Sequence, residues 1–165
     1  MPFIYASSAS TYGHGKKGFT EKPECEEALN PYAYSKLFFD RYVRRFEKDL
    51  QSQVVGLRYF NVFGPNENHK GNMASLVRQM FYKLRETGEI TLFEGTDGYE
   101  NGGQLRDFIY VKDVVNVNFF FWEHPEISGI FNCGTGEAKS SIASCRLLSI
   151  ITAPATYAIF RSLKC

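Results

Sequence analysis

The chain reads Ser7-Ser8-Ala9-Ser10-Thr11-Tyr12-Gly13 near its start and Tyr32-Ala33-Tyr34-Ser35-Lys36 shortly afterwards. The run from Phe3 to Ser7 is short and apolar, which predicts a buried parallel strand. Ser8 then falls at the carboxyl end of this strand, where open α/β sheets bind their ligands. The second segment predicts a helix over residues 32–48, because Asn30 and Pro31 are typical of a helix start.

Tyr32 and Lys36 are four positions apart, so a helix places them on one face, one turn from each other. The charge of Lys36 favours the phenolate of Tyr32, and we expect it to lower the pKa of that phenol from about 10. The hydroxyl of Ser8 can bond the same substrate oxygen. The three groups predict a nicotinamide-dependent oxidoreductase or epimerase, which takes a proton from an alcohol while a hydride leaves its carbon.

Strands and helices alternate along the rest of the chain, which predicts an α/β fold with a doubly wound parallel sheet. The apolar patterns predict strands over 54–60, 90–93, 108–111 and 130–133, and helices over 72–85 and 114–123. Gly88 is expected to end the second helix. The segment Gly134-Thr135-Gly136 lacks a third glycine at the spacing of a dinucleotide fingerprint, so it predicts a strand-end turn.

Further motifs follow in order: Arg58-Tyr59-Phe60-Asn61-Val62-Phe63-Gly64-Pro65, Arg106-Asp107-Phe108-Ile109-Tyr110-Val111-Lys112-Asp113-Val114 and Gly129-Ile130-Phe131-Asn132-Cys133-Gly134-Thr135-Gly136. With the Ser-Ser-Ala and Tyr-x-x-x-Lys segments, they resemble the extended short-chain dehydrogenase/reductase family of NAD-dependent epimerases and dehydratases. Within that family, His69-Lys70-Gly71-Asn72-Met73-Ala74-Ser75 and Leu92-Phe93-Glu94-Gly95-Thr96 look like the ADP-glycero-manno-heptose 6-epimerases.

The resemblance implies the C-terminal half of a Rossmann-like doubly wound sheet plus part of a small substrate-binding domain. The expected divisions are 1–65 for the nicotinamide-binding half, 66–106 for the substrate domain, 107–138 for the return to the first domain, and 139–165 for a divergent tail. No Gly-x-Gly-x-x-Gly precedes the motifs. We therefore expect an N-terminally truncated fragment, and the composition change after Lys139 suggests a frameshift or read-through.

The resemblance also implies roles for individual residues. Catalysis is assigned to Ser8, Tyr32 and Lys36, with Lys70 as a second acid/base, and cofactor contacts are assigned to Tyr32, Lys36 and Val62. The implied substrate-binding residues are Asn61, Asn72, Gln79, Phe93, Glu94, Gly95, Thr96 and Arg106. Arg106 suits a pyrophosphate because a guanidinium forms paired hydrogen bonds. The implied reaction inverts C6 of an ADP-linked heptose, with NADP as cofactor and NAD as the other possibility.

Other interpretations stay open at this point. Tyr32 and Lys36 alone are compatible with an ordinary surface pair, and Lys70 with a solvated lysine. Within the same family, a UDP-hexose 4-epimerase or a 4,6-dehydratase is the competing enzyme. A non-catalytic remnant, which keeps the acid/base face but has no cofactor site, is the interpretation from a different class, and we expect the chain alone to be inactive.

Composition narrows the possible partners. The net charge is +1, so bulk electrostatics predicts no nucleic-acid partner. The four cysteines, Cys25, Cys133, Cys145 and Cys165, show no Cys-x-x-Cys spacing, which argues against a metal site. Neither a signal peptide nor a membrane span is expected. We predict a cytoplasmic enzyme with a nucleotide-sugar substrate, and the resemblance implies a homo-oligomer.

Overall fold

The computed structural model describes residues 1–96 and 98–144. Asp97 and the greater part of the predicted tail, from residue 145 onward, lie outside the described residues. The chain forms two compact units. The first unit contains Met1–Val62 and Ile109–Gly134, and the second contains Phe63–Phe108 and the described residues from Thr135 to 144.

Six strands and three α-helices are described. The strands are β1 (Phe3–Ser8), β2 (Val54–Tyr59), β3 (Asn61–Phe63), β4 (Leu105–Tyr110), β5 (Gly129–Cys133) and β6 (Ala138–Ser140). The helices are α1 (Pro31–Phe46), α2 (Leu76–Thr87) and α3 (Val111–Glu123). Within the described residues, no helix is both long enough and apolar enough to cross a membrane.

The sheet of the first unit has the strand order β1-β2-β5 and is parallel throughout. In its register Ser8 lies beside Tyr59, and Tyr59 lies beside Cys133. The three strands therefore end at one common edge. This parallel sheet with connecting helices confirms the α/β class predicted from the sequence.

The core of the first unit forms around β2, the central strand. Val55 and Leu57 on this strand are fully buried. They pack with Ile109, Val114 and Phe121 in one apolar cluster. A strand covered on both faces needs an apolar run, and the first four residues of β2, Val54 to Leu57, supply one.

The predicted helix signals at α1 and at the end of α2 are confirmed. The Asn30 side chain accepts a hydrogen bond from the backbone N–H of Ala33 at 2.8 Å, and Pro31 occupies the first turn. At the other site, Gly88 follows α2 with a φ of 70° and donates its N–H to the Leu84 carbonyl. A left-handed residue at this position ends a helix without the steric penalty that a Cβ would bring.

In the second unit, one predicted element starts at a different residue and another does not form. The helix predicted over 72–85 begins only at Leu76, because Gly71 has a φ of 51° and Ser75 caps the helix instead of continuing it. The strand predicted over 90–93 does not form. Its residue Phe93 instead accepts a hydrogen bond from the Gly102 N–H at 2.9 Å, so this part of the chain is a folded loop.

The second unit also contains a strand that was not predicted. β6 pairs antiparallel with β4, so that Arg106 lies beside Lys139. Three-residue strands such as β3 and β6 are too short to leave an alternating pattern in the sequence, which explains why the apolar pattern missed them.

Candidate active site

The predicted phenol–ammonium pair is present on α1. Lys36 Nζ lies 5.8 Å from the centroid of the Tyr32 ring. This distance is within the range over which an ammonium is attracted to an aromatic ring. Tyr32 is 57% exposed, so its phenol is accessible to a ligand.

Lys36 also connects α1 to the first strand. Its Nζ donates a hydrogen bond to the backbone carbonyl of Ala6 at 2.9 Å. Ala6 is two residues before Ser8 on β1. The ammonium is thus held at the end of the strand that carries the predicted hydroxyl.

Ser8 is the last residue of β1 and caps the short helical turn that follows. Its Oγ accepts hydrogen bonds from the Ser10 N–H at 3.2 Å and from Ser10 Oγ at 2.9 Å. Because Ser8 accepts in both bonds, neither consumes its own hydroxyl proton. These bonds fix the Ser8 rotamer at the strand end.

Asn61 and Val62 follow β2 at the common edge of the parallel sheet. They begin the short strand β3, two residues beyond Tyr59. Val62 packs against the apolar core of the unit. The first unit therefore carries Ser8, Asn61 and Val62 on segments that leave neighbouring strands, which is where parallel α/β sheets bind ligands.

A network of buried charged side chains, which the sequence analysis did not predict, connects α1 to the strands β1 and β2. Asp40 is fully buried and lies one turn beyond Lys36. It accepts hydrogen bonds from the Tyr5 hydroxyl, Ser7 Oγ and Arg58 Nε, each at 2.9 Å. Two of these partners lie on β1, so Asp40 fastens the helix to the same strand that Lys36 contacts.

Arg58 joins the network to the loop before α1. Its Nη2 lies 2.6 Å from Glu26 Oε1 and 2.8 Å from Asp40 Oδ2, and all three side chains are buried. Burial acts to lower the pKa of the Arg58 guanidinium, but contacts with Glu26, Tyr12 and Asp40 outweigh it and raise that pKa. Arg58 therefore remains a cation in the interior.

One signal in the sequence could have indicated this network. Asp40 falls between Leu37 and Val43 on the buried face of α1. A carboxylate at a core position of an amphipathic helix requires a buried cation as a partner, because an unpaired buried charge is very unfavourable. Arg58, the charged residue within the apolar run of β2, satisfies that requirement.

In the second unit, the segment after β3 forms a tightly bonded loop around Glu67. The carboxylate of Glu67 accepts hydrogen bonds from the Ser75 N–H and Ser75 Oγ, each at 2.7 Å, and from the Gly64 N–H at 3.4 Å. Lys70 Nζ lies 3.5 Å from Glu67 Oε2. The predicted second acid/base is therefore held by a buried carboxylate.

The same loop contains two of the predicted substrate residues. Gln79 Nε2 donates hydrogen bonds to the carbonyls of Asn72, at 3.1 Å, and Ala74, at 2.7 Å. The amide group of Gln79 on α2 thus fixes the backbone on which Asn72 lies. Lys70, Asn72 and Gln79 belong to one bonded substructure of the second unit.

The remaining predicted substrate residues lie on a second loop of this unit, with Arg106. The Arg106 guanidinium lies 5.8 Å from the centroid of the Phe93 ring. The Glu94 carbonyl accepts from Gln104 Nε2 at 2.6 Å, and the Gly95 N–H donates to Asn101 Oδ1 at 2.7 Å. These bonds give the loop a defined shape.

Gly95 and Thr96 form the tightest part of this second loop. A Cβ on Gly95 would lie 2.3 Å from the Tyr99 carbonyl oxygen, so only glycine fits there. The Thr96 carbonyl accepts from the Tyr99 N–H at 3.0 Å. Phe93, Glu94, Gly95 and Thr96 are thereby held together in the loop that contacts Arg106.

The segment Gly134-Thr135-Gly136 is a turn after β5, as predicted. The N–H groups of Thr135 and Gly136 donate to the Asp107 carboxylate at 2.8 Å and 2.9 Å, and Thr135 Oγ1 donates to it at 2.6 Å. An internal carboxylate therefore occupies the backbone donors that a phosphate would need. Within residues 1–96 and 98–144, no group of three or more histidine, cysteine or acidic side chains could hold a metal ion.

Two curated relatives of this chain carry the same description. The chain is 59% identical over 140 residues to an ADP-L-glycero-D-manno-heptose-6-epimerase of Alkalilimnicola ehrlichii, covering 85% of this chain and 43% of that protein. It is 56% identical over 138 residues to the protein of the same description from Thiobacillus denitrificans, covering 84% of this chain and 41% of the relative. The chain thus spans less than half the length of these curated relatives.

Solved structures agree with the fold. The Helicobacter pylori ADP-L-glycero-D-manno-heptose-6-epimerase matches with a TM-score of 0.78 at 37% identity, covering 89% of this chain and 44% of that one. The Thermotoga maritima UDP-glucose 4-epimerase with UDP-glucose matches with a TM-score of 0.76 at 29% identity, covering 92% and 47%. The model of the NAD dependent epimerase/dehydratase family matches residues 1–134. This chain belongs to the NAD-dependent epimerase/dehydratase family, as the sequence motifs predicted.

Proposed function

We propose that the protein acts as an ADP-glycero-manno-heptose 6-epimerase, which inverts C6 of the nucleotide-linked heptose by transient oxidation and reduction. The main support is the position of Lys36, which lies 5.8 Å from the Tyr32 ring and bonds Ala6 on the strand that ends at Ser8. The identity of 56% or more to two relatives described as heptose epimerases supports the choice of sugar.

In this proposal Tyr32, Lys36 and Ser8 handle the first proton transfer. The Tyr32 phenolate accepts the proton of the sugar hydroxyl, and the nearby ammonium of Lys36 stabilises the phenolate by its charge. Ser8 orients the hydroxyl through its own O–H. The fixed rotamer of Ser8 and the bonded Lys36 mean that little reorganisation is needed when the sugar binds.

The residues present fit a nicotinamide cofactor. Tyr32 is exposed next to an ammonium, and Val62 gives an apolar surface at the common edge of the parallel strands. We assign Tyr32, Lys36 and Val62 to holding the cofactor, with NADP preferred over NAD. When bound, it supplies a hydride acceptor for the oxidation and a hydride donor for the reduction.

The second half of the proposed reaction needs an acid/base group for the opposite face of the sugar. Lys70 takes that role, and its contact with Glu67 at 3.5 Å supports a defined position for its ammonium. We assign the nucleotide-sugar to Asn61, Asn72, Gln79, Phe93, Glu94, Gly95, Thr96 and Arg106. Arg106 would bond the pyrophosphate with two parallel N–H donors.

The test uses protein expressed from its complete natural gene, with each C6 epimer of the ADP-heptose as substrate and NMR of the products as the measurement. Tyr32→Phe is expected to lower kcat by at least about a hundredfold, because it removes a general acid/base group. The matched control is Tyr34→Phe, since Tyr34 lies on the same helix and is 58% exposed. Near-normal turnover by Tyr32→Phe would contradict the proposal.

Parallel assays separate the competing functions. UDP-glucose tests a hexose 4-epimerase, which is the function that the description of the Thermotoga maritima structure names for that protein. A dTDP-hexose tests a 4,6-dehydratase. Fluorescence titration of the 165-residue chain with NADP(H) and NAD(H) tests the non-catalytic remnant, since tight binding would contradict the absence of a cofactor site and would also reveal the preferred cofactor.

We extend the proposal to a cytoplasmic homo-oligomer that serves lipopolysaccharide core precursor synthesis. The cytoplasm is where cells hold nicotinamide nucleotides and nucleotide-linked sugars. Exposed aromatic side chains on α1, among them Phe38 at 60% exposure and Tyr42 at 54%, support an oligomer contact. Cell fractionation and light scattering of the eluting protein check these points, and a monomer at micromolar concentration would contradict the oligomer.

A further inference from the structure

Glu67 is the one carboxylate of the loop that carries Lys70, residues 64–75, and it is buried. It is 5% exposed, whereas the Lys70 side chain is 46% exposed. Its two oxygens accept from Ser75 at 2.7 Å, and Oε1 also accepts from the Gly64 N–H at 3.4 Å. The carboxylate therefore connects the two ends of the loop.

Lys70 lies between these ends and is attached to Glu67 twice. Its backbone N–H donates to the Glu67 carbonyl at 3.0 Å, and its Nζ lies 3.5 Å from Glu67 Oε2. The next residue, Gly71, has a φ of 51°, so the backbone leaves the helical conformation and kinks directly after the lysine. Both the backbone and the side chain of Lys70 are thus oriented by one residue.

The burial of the Glu67 carboxylate needs partners that compensate for the loss of water, because a buried charge without partners is unfavourable. Helix capping explains only part of the arrangement. Ser75 already caps α2, since its Oγ accepts from the Arg78 N–H at 3.3 Å. The contact of Glu67 with Lys70 is separate from that cap and directs an ionised carboxylate at the ammonium.

We infer that Glu67 is a positioning residue, which holds the ammonium of Lys70 at a fixed point for proton transfer to the sugar. This inference rests on the proposed function, in which Lys70 is the second acid/base. In this arrangement, Glu67 contributes to turnover only through its effect on Lys70. A purely structural carboxylate would contribute whether or not the lysine is present.

The experiment is a double-mutant cycle on kcat, with protein expressed from its complete natural gene and the ADP-heptose as substrate. Glu67→Gln keeps the size of the side chain and removes its charge. We expect kcat to fall by about tenfold or more with KM changed less than about threefold, because the lost contact concerns proton transfer rather than binding. In a Lys70→Ala background, Glu67→Gln is expected to cause no further loss.

The matched control is Glu137→Gln. Glu137 lies 3.5 Å from Lys139, the same separation as the Glu67–Lys70 pair, but its side chain is 77% exposed. This control removes the same charge from the same unit, and we expect kcat to stay unchanged. Should Glu67→Gln fail to fold, Glu67→Asp serves in the same cycle, since it keeps the charge but is one methylene too short to reach Ser75 and Lys70 together.

The outcomes separate the inference from the function on which it rests. An equal loss from Glu67→Gln with and without Lys70 would overturn the positioning role, and so would wild-type kcat in Glu67→Gln. Full activity of Lys70→Ala would overturn the proposed role of Lys70 itself. A loss in the single variant that disappears in the Lys70→Ala background supports the inference.

Discussion

Asp40 lies one helical turn beyond Lys36, and both side chains hold the same strand. Lys36 donates to the Ala6 carbonyl, and Asp40 accepts from the neighbouring Ser7, each at 2.9 Å. The helix that carries Tyr32 is therefore attached to β1 at two successive levels. This attachment fixes the separation between the phenol of the helix and the hydroxyl at the strand end.

Replacing Asp40 by asparagine is expected to lower the free energy of unfolding by about 3 kcal/mol, because it removes one of the two carboxylates that balance the buried Arg58. Urea unfolding followed by circular dichroism measures the change. The control is Asp49→Asn, which alters an exposed carboxylate and is expected to stay within about 0.5 kcal/mol of the parent protein. Equal midpoints for both variants would show that the network does not stabilise the fold.

Replacing Asn30 by alanine removes the side-chain cap of α1, which is a 2.8 Å bond to the Ala33 N–H. The expected loss is about 1 kcal/mol of unfolding free energy, since the N–H of the first turn would be left without its partner. Thermal and urea unfolding both report it. The exposed Asn116 within α3 offers the control, because Asn116→Ala removes the same side chain from a helix interior.

Glu67 makes the stability sensitive to acid. Burial acts to raise the pKa of Glu67, but hydrogen bonds from Ser75 and the charge of Lys70 outweigh it and hold that pKa below its ordinary value of 4.5. As the pH falls, the Glu67 carboxylate is therefore protonated at a higher pH in the unfolded chain than in the folded protein. The stabilisation is fully present above the ordinary value and is lost as the pH falls through the lower, folded value.

The measurement is the free energy of unfolding in urea at successive pH values between neutral and about 3. Glu67→Gln is expected to lose less stability over this interval than the parent protein, because the titrating carboxylate is gone. Glu137→Gln is expected to keep the slope of the parent protein. A parallel acid dependence in all three proteins would refute the role assigned to Glu67.

Three phenols, one buried and two half-buried, give the opposite dependence of stability on pH, at alkaline pH. Burial raises the pKa of Tyr5, Tyr12 and Tyr59, and the charge of Asp40 raises that of Tyr5 further. Their stabilisation is fully present below the unfolded value of about 10 and is lost as the pH rises above it. We expect a part of the ultraviolet tyrosinate signal to appear only when the protein unfolds.

Tyr5→Phe is expected to reduce this delayed part of the signal and to weaken the loss of stability above about pH 10. Tyr34→Phe removes an exposed phenol and is expected to leave the delayed part unchanged. Simultaneous titration of every tyrosine in the folded protein would contradict the raised pKa values of these three phenols.

The sequence predicted the first unit better than the second. β1, β2 and β5 were found because each is a short apolar run that polar residues bound. The start of α1 and the end of α2 were found because capping is local. The start of α2 was missed because Glu67 and Gln79 bond the preceding residues into a loop. Such contacts depend on the folded chain and leave no periodic pattern.

The predicted site residues differ from the missed ones in the same way. Tyr32 and Lys36 follow a helical spacing that can be recognised in one dimension. Asp40 and Arg58 are 18 positions apart and belong to different elements, so only their unusual location in apolar runs points to a pair. Glu67 is surrounded by polar residues, and its burial could not be read from its neighbours.

The partner of Lys36 on β1 is a peptide carbonyl, and this has a genetic consequence. No codon change at position 6 can delete that oxygen, since every amino acid supplies it. The hydrogen bond from Lys36 to the carbonyl oxygen of residue 6 is therefore kept whatever side chain stands at that position. Natural variation at position 6 is limited only by how the side chain packs in the strand. Only an alteration of the main chain itself, such as ester substitution of the amide by chemical synthesis, would weaken that acceptor while keeping every side chain.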